Sequence, residues 1–257
     1  MAGPQFQRLS LAGKTALVTG AGKGLGRSAA IGLARAGANV ALLARTKKDL
    51  EALAREVEAL GVKASVEVAD ATRSEEVDAA VKRTASAFGS LDIVVHSAGG
   101  SLRKPALQLT DADWDSLIAS NLTSTFIVNR AAGRVMTAQG SGSIINIASA
   151  AGLRGRPTNA PYSAAKAGVI NLTRALAMEW AQFNVRVNAL APGRFLTPLT
   201  EGEMSDPDKY ATFVKQVPLG RIGKPEELEE IVVWLASEAS AFVTGSVLVI
   251  DGGQTLL

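Results

Sequence analysis

Short β-branched apolar runs alternate with longer stretches of helical spacing through the first two-thirds of the chain, the pattern of parallel strands joined by helices. Five such runs predict strands at Thr15 to Thr19, Val40 to Ala44, Ala64 to Val68, Ile93 to His96 and Ser143 to Ala148, each followed by a helical segment. Val185 to Ala191 predicts a sixth strand and Val247 to Ile250 a seventh, the latter closed by the turn residues Asp251-Gly252-Gly253. No linker, internal repeat or low-complexity tract divides this rhythm. The expectation is a single α/β domain over residues 1–257, a doubly wound seven-stranded parallel sheet with helices on both faces. The rhythm breaks between Pro192 and Pro218, where Pro198 and Pro207 interrupt an acidic, polar stretch, and residues 193–217 are expected to form a mobile flap.

Composition adds what the chain can bury and what it lacks. At 257 residues, 47% hydrophobic and 20% charged, it can bury one large core, and its 25 glycines suit a sheet covered closely on both faces. The net charge of +3 rests on scattered basic residues instead of tracts, which argues against a nucleic-acid partner. With no cysteine there is no disulfide, thiolate nucleophile or Cys-based zinc site, and His96, the one histidine, cannot build a multi-histidine metal site or a Ser-His-Asp triad. No metal is expected, and redox chemistry would need a bound organic cofactor. Met1 to Leu9 lacks a basic region followed by a long apolar run, and no later stretch is apolar for the roughly 18 residues that a bilayer span needs. A cytoplasmic chain with no membrane partner is expected.

Candidate chemistry lies at the strand ends. The first predicted strand runs into Thr19-Gly20-Ala21-Gly22-Lys23-Gly24-Leu25-Gly26 and then an Ala-rich helix. Backbone N–H groups with no Cβ in the way can approach phosphate oxygens there, and the positive end of the helix dipole favours their charge. The spacing is not the strict G-x-G-x-x-G fingerprint, and a plain strand-to-helix turn is the alternative. Past Gly26 by 19 residues, where a carboxylate commonly holds the adenosine ribose, the second strand ends in Ala44-Arg45-Thr46. Arg45 and Thr46, with Lys23 nearby, suit the 2′-phosphate of NADP(H), with NAD(H) also possible; alternatively Arg45 starts a solvated helix. Asp70, with Ala71 beside it, follows the third strand and can accept from an adenine amino group or cap the next helix near Thr72 and Ser74.

Tyr162 and Lys166 lie four apart, so on a helix they share one face a turn apart. A fixed ammonium and an oxidised nicotinamide both favour phenolate, and are expected to bring Tyr162 down from the ordinary tyrosine range into that of a working acid/base. Ser149, 13 residues ahead of Tyr162 at the end of the fifth strand, can hydrogen-bond a substrate oxygen as charge builds on it.

These motifs resemble the short-chain dehydrogenase/reductase family, a Rossmann-type fold, from Lys14 to Gly253. The glycine turn, Asp70, Ala98-Gly99 after the fourth strand, Asn121, Ser149, Tyr162, Lys166 and Pro192-Gly193 all match. The resemblance implies that Tyr162 exchanges the proton, Lys166 binds the nicotinamide ribose hydroxyls and lowers the tyrosine's pKa, Ser149 steadies the substrate, and Asn121 holds a water in a proton relay. It implies that Thr197 contacts the nicotinamide carboxamide and that the following segment is a substrate flap. One departure is His96-Ser97 where the family usually has Asn-Asn; His96 is either a neutral donor to the same backbone groups or a catalytic imidazole. The resemblance also implies a homotetramer built on helices around Asp111 to Ala138 and Ala160 to Phe183.

The implied reaction is hydride transfer between NADP(H) and a ketone or secondary alcohol. Leu102-Arg103-Lys104-Pro105 and Phe195-Leu196-Thr197-Pro198-Leu199-Thr200 resemble sugar-acid members such as gluconate 5-dehydrogenases, in which case Arg103 meets a carboxylate. The whole chain is also similar to 3-oxoacyl-acyl-carrier-protein reductases. A non-catalytic dinucleotide-binding protein and an epimerase or dehydratase on the same scaffold are the rival classes; the intact Ser, Tyr and Lys oppose the first and the short chain the second.

Overall fold

The computed structural model describes residues 8–198 and 200–257. Residues 1–7 of the N-terminal stretch and Leu199 of the flap lie outside the described residues. The seven strands are β1 (Thr15–Thr19), β2 (Asn39–Ala44), β3 (Ala64–Val68), β4 (Ile93–His96), β5 (Gly142–Ile147), β6 (Val185–Pro192) and β7 (Val247–Ile250). They form one sheet in the order β3-β2-β1-β4-β5-β6-β7, and every pairing is parallel. The expected strands are all present, most within a residue of their predicted ends.

Alternation along the strands sends side chains to two cores. Ala16 and Val18 of β1, Val40 and Leu42 of β2, and Ile93 and Val95 of β4 enter one; Leu17, Ala41, Leu43 and Val94 enter the other. Helices α1 (Gly24–Arg35) and α2 (Lys47–Glu58) cover the first face, joined late in the chain by α9 (Glu229–Ala236), which contributes Val232 and Leu235. The second face is covered by α3 (Ser74–Phe88), α5 (Ser124–Gln139) and α6 (Ala160–Trp180), through Val77, Val128, Met136 and Trp180 among others. Strands this apolar on both sides are what a doubly covered parallel sheet requires. Between β4 and β5, α4 (Asp111–Ile118) runs through a π-helical turn at Ala119–Thr123 into α5.

The segment expected as a flap has structure of its own. It contains two short helices, α7 (Glu201–Met204) and α8 (Pro207–Val214), the second capped by Asp206 accepting from the Asp208 and Lys209 amides. Met204, Phe213 and Ile222 form a small apolar core of their own, and the parallel bridge of Phe195 with Gly223 pins the start of the segment. Proline density signalled a break from sheet rhythm correctly, but Pro207 sits in the first turn of α8, where its missing N–H costs nothing.

The order of the sheet reverses between β1 and β4: the chain leaves β1 towards β2 and leaves β4 towards β5. Their carboxyl ends therefore open a crevice, and a close approach of backbones forms its floor. A Cβ on Gly26 in α1 would lie 2.3 Å from the Gly20 carbonyl oxygen, so α1 can start that close to β1 only with glycine there. Gly26→Ala is expected to cost about 1–3 kcal/mol of stability as an overpacked contact, measured by urea unfolding, whereas Gly100→Ala, with nothing within 4 Å of its added Cβ, should cost under about 0.5 kcal/mol.

Candidate active site

A cleft of about 940 Å³ occupies the crevice and gathers nearly every residue that the sequence singled out. At its β1 side, Gly20 has φ of +65°, and an added Cβ would meet the Ala98 amide nitrogen at 2.8 Å. Only glycine lets the turn pass beneath the loop that follows β4. Gly22, Lys23, Gly24 and Leu25 line the cleft, and α1 begins there with no side-chain cap, leaving its first amides for an anion. Gly26 is the exception: it is buried behind the turn, and its place is in β1–α1 packing and not on the cleft wall.

Arg45 and Thr46 line the same end. Arg45 makes no hydrogen bond or ion pair among the described residues, as a group awaiting an anion would. Lys23 is not equally free, because its Nζ lies 3.4 Å from Asp49 Oδ2. Asp49 also lines the cleft and was missed in the sequence; only the packing of α2 on the glycine turn, 3.3 Å from Asp49 Cβ to a Cβ on Gly22, brings it there. Asp70 uses Oδ1 to accept from the Thr72 amide at 2.9 Å and hydroxyl at 2.8 Å, which hold its carboxyl below the usual range, the amide first. It does not cap α3, whose N-cap is Arg73, and with Ala71 it faces the cleft.

At the other end, β5 releases the chain at Ile147 and α6 returns it. Ser149 lies two residues past the strand and caps a short turn by accepting from the Ala151 amide at 3.1 Å. Lys166 is 5% exposed and donates to the Ile147 carbonyl at 2.8 Å; burial lowers its pKa to about 8. Its ammonium is 5.6 Å from the Tyr162 ring centroid. Tyr162 departs from expectation: burial raises its pKa above the ordinary value, outweighing the lowering by a hydrogen bond with Ser149 and the charge of Arg156. The phenol of the free protein is thus held protonated.

Asn121 sits in the π-helical turn, fully buried. Its amide group donates to the carbonyls of Gly100 and Leu117, each at 3.0 Å, while Oδ1 has no partner. That bare oxygen lies 2.5 Å from where a Gly99 Cβ would be, so Ala98 and Gly99 bring the β4 loop against it. A buried acceptor left open beside a cleft suits a water or a ligand donor. Pro192 and Gly193 close the β6 side, and Thr197 lies over Gly24, 3.5 Å from its Cβ to one built on that glycine.

His96 is fully buried in a directed chain of hydrogen bonds. Ser124 Oγ donates to the Ser120 carbonyl at 2.7 Å, so it accepts from His96 Nε2–H at 3.2 Å. Nδ1 is then bare and accepts the Thr19 hydroxyl at 2.8 Å, while Thr19 Oγ1 accepts from the Ser97 amide at 3.3 Å. Burial first, then the charge of Lys166, drops the imidazole to about 3. The imidazole is neutral, as the first of the two readings has it, but its partners are the hydroxyls of Thr19 and Ser124 instead of backbone groups, and it ties β1, β4 and α5 together. No group of three or more His, Cys, Asp or Glu among the described residues could hold a metal ion, and no described helix is long and apolar enough to cross a membrane.

The chain is similar to known proteins along nearly its whole length. A family model described as enoyl-(acyl carrier protein) reductase matches residues 20–255. Gluconate 5-dehydrogenase of Gluconobacter oxydans is 41% identical, over 96% of this chain and 96% of its own. A 3-oxoacyl-acyl-carrier-protein reductase of Thermotoga maritima is 38% identical over 96% of this chain and 100% of its own. The solved structure of a gluconate 5-dehydrogenase from Burkholderia cenocepacia, in complex with NADP and tartrate, superposes with a TM-score of 0.94 at 38% identity, covering 98% of this chain and 99% of that one.

The buried imidazole sets a pH expectation. Neutral in the fold down to about 3 but ionising near pH 6.5 when unfolded, it contributes stability above pH 6.5 that is lost as the pH falls. His96 alone should make stability decline by about 1.4 kcal/mol per pH unit between about pH 6 and 4. His96→Asn should remove that part of the slope in urea melts and leave kcat unchanged; a slope that the substitution does not alter contradicts the assignment.

Proposed function

The chain belongs to the short-chain dehydrogenase/reductase family and is an NAD(P)-dependent oxidoreductase; from that premise we propose that it interconverts a ketone and a secondary alcohol of a sugar acid, with 5-ketogluconate and gluconate as the pair. The observation that carries the reading is that Ser149, Tyr162 and Lys166 meet the glycine turn and Arg45 in one cleft. The residues fit a dinucleotide: Gly20 lets the glycine turn lie against the β4 loop at the cleft, α1 presents uncapped amides, and Arg45 is an unpaired cation at the ribose end. When bound, the nicotinamide supplies or accepts the hydride.

This chain's own residues manage the rest. The amides from Gly22 to Leu25 hold the diphosphate, Arg45 and Lys23 the 2′-phosphate, with Thr46 beside them, and Asp70 with Ala71 the adenine. Lys166 and Thr197 position the nicotinamide half, between Ala98-Gly99 on one wall and Pro192-Gly193 on the other. Ser149 orients the substrate oxygen, and Tyr162 gives that oxygen its proton during reduction and takes it back during oxidation. Asn121 Oδ1 is free to hold a water of the proton relay.

The acid substrate is supported by the Gluconobacter oxydans and Burkholderia cenocepacia relatives, and Arg103 is the residue first assigned to its carboxylate. A carrier-protein reductase is the second reading, favoured by the Thermotoga maritima relative. Against it, Lys104 is already engaged by Asp113 at 2.7 Å and offers less to an acidic carrier. The proposal extends to a cytoplasmic homotetramer, for which Trp114, Phe126, Met178 and Phe183, large apolar side chains exposed on or next to α4, α5 and α6, are the supporting surface.

Tyr162→Phe is expected to reduce kcat/KM for 5-ketogluconate by about a hundred- to ten-thousand-fold, with the Kd for NADPH unchanged in a fluorescence titration; wild-type turnover by this variant sinks the proposal. Asp49→Asn releases Lys23 and should tighten NADPH about two- to fivefold, the range of an exposed charge pair, without tightening NADH. Equal change for both cofactors, or a wild type that prefers NADH, contradicts the assignment of this corner to the 2′-phosphate.

A further inference from the structure

The loop between Ser149 and Tyr162 carries a group that neither the motif set nor the proposed chemistry has used. Arg156 is half-buried, and among the described residues its guanidinium makes no hydrogen bond and no ion pair. It stands on the segment that joins the Ser149 turn to the helix carrying Tyr162, both of which line the cleft, and its positive charge and the Tyr162 phenol act on one another. The other charges that reach it are Arg103, Arg154 and Asp251. Asp251 makes no ion pair with it; its Oδ1 accepts from the Gly253 amide at 2.9 Å and its Oδ2 from the Thr255 amide at 2.7 Å. An arginine stays charged in any protein, so burial without a partner costs free energy unless an anion arrives.

The backbone around Arg156 is built to hold it there. Thr158 stands in the left-handed region at φ of +62°, an arrangement that costs about 1–3 kcal/mol for a non-glycine residue and persists only where its surroundings enforce it. The enforcing contacts are present. The Lys104 amide donates to the Thr158 carbonyl at 2.8 Å, which joins this loop to the one carrying Arg103. The Asn159 amide donates to the Arg156 carbonyl at 3.3 Å, and the Ser163 amide to the Asn159 carbonyl at 2.9 Å, so the turn feeds rigidly into the helix that presents Tyr162. Asn159 is 7% exposed, and its side-chain Oδ1 is left without a partner in the same turn. Strain, an open buried acceptor and an unpaired cation thus coincide within four residues.

Resting on the sugar-acid reading, we propose that Arg156 is the carboxylate-reading group of the substrate site: it takes the acid end of a hydroxy- or keto-acid while Ser149 and Tyr162 hold the reacting oxygen. A guanidinium offers paired donors that match a carboxylate. Arg103, whose guanidinium carbon lies 5.8 Å from the Phe213 ring centroid of α8, borders it on the flap side. The Lys104–Thr158 backbone bond sets the two loops side by side, and the charges of Arg103 and Arg156 act on one another, so Arg103 is the neighbour of Arg156 instead of the sole reader.

The test compares 5-ketogluconate with its methyl ester, and wild type with Arg156→Gln and Arg156→Lys. Arg156→Gln is expected to raise KM for the acid at least about tenfold, the loss of a hydrogen bond to a charged group, leaving kcat and the NADPH Kd unchanged. KM for the ester should stay the same, and Arg156→Lys should recover part of the loss. Equal losses on acid and ester would mean that Arg156 only shapes the loop, which overturns the proposal. A second arm reads binding without turnover: tartrate should raise the Tm of the wild type but not that of Arg156→Gln, and equal stabilisation of both, or of neither, overturns it. If the wild type reduces only an acetoacetyl thioester, the sugar-acid reading fails by itself, and the tartrate arm still decides whether Arg156 binds a carboxylate.

Discussion

Lys166 leaves water on the second turn of α6 and donates to the Ile147 carbonyl, 2.8 Å away at the end of β5. A buried ammonium needs a polar partner, and this contact ties α6 to the end of β5. Ser149 follows Ile147 by two residues on the same strand end, and Tyr162 precedes Lys166 by one helical turn. All three functional groups are therefore referenced to one point of the sheet. An ammonium has three donors, and the protein uses one, leaving two for groups that enter the cleft.

The electrostatics of this point depart from the simple expectation that the lysine depresses the tyrosine. Burial acts on both: it pulls Lys166 down to about 8 and pushes Tyr162 up. At Tyr162 burial outweighs the two influences that favour phenolate, the hydrogen bond with Ser149 and the charge of Arg156. The same dryness drops His96 to about 3, so the one histidine near the site is removed from proton chemistry and becomes a strut.

Much of this was legible in the sequence. A parallel sheet buried on both faces writes itself as apolar runs, so β1, β4 and β7 were placed to the residue, and the spacing of Tyr162 and Lys166 on a helix defined one wall of the cleft. What was not legible depends on approaches between distant segments. Asp49 reaches Lys23 only through the packing of α2 on the glycine turn, and Gly26 works behind the cleft because α1 meets the Gly20 carbonyl. The hydrogen-bond direction at His96 needs Ser124 and Thr19 together. The prolines of the flap suggested irregular chain, yet Pro207 starts a helix and Phe213 joins a local core. Arg156 carried a weak signal, an arginine midway between Ser149 and Tyr162, but its lack of a partner is visible only in three dimensions.

The central claim is that this cleft moves a hydride at carbon while Tyr162 moves a proton at oxygen. Reduction of 5-ketogluconate with NADPH deuterated at both C4 positions, followed by mass spectrometry of the product, tests it most directly. The account predicts one deuterium on the new carbinol carbon, none lost to water, and a primary isotope effect on kcat/KM. A product without deuterium at that carbon would contradict it.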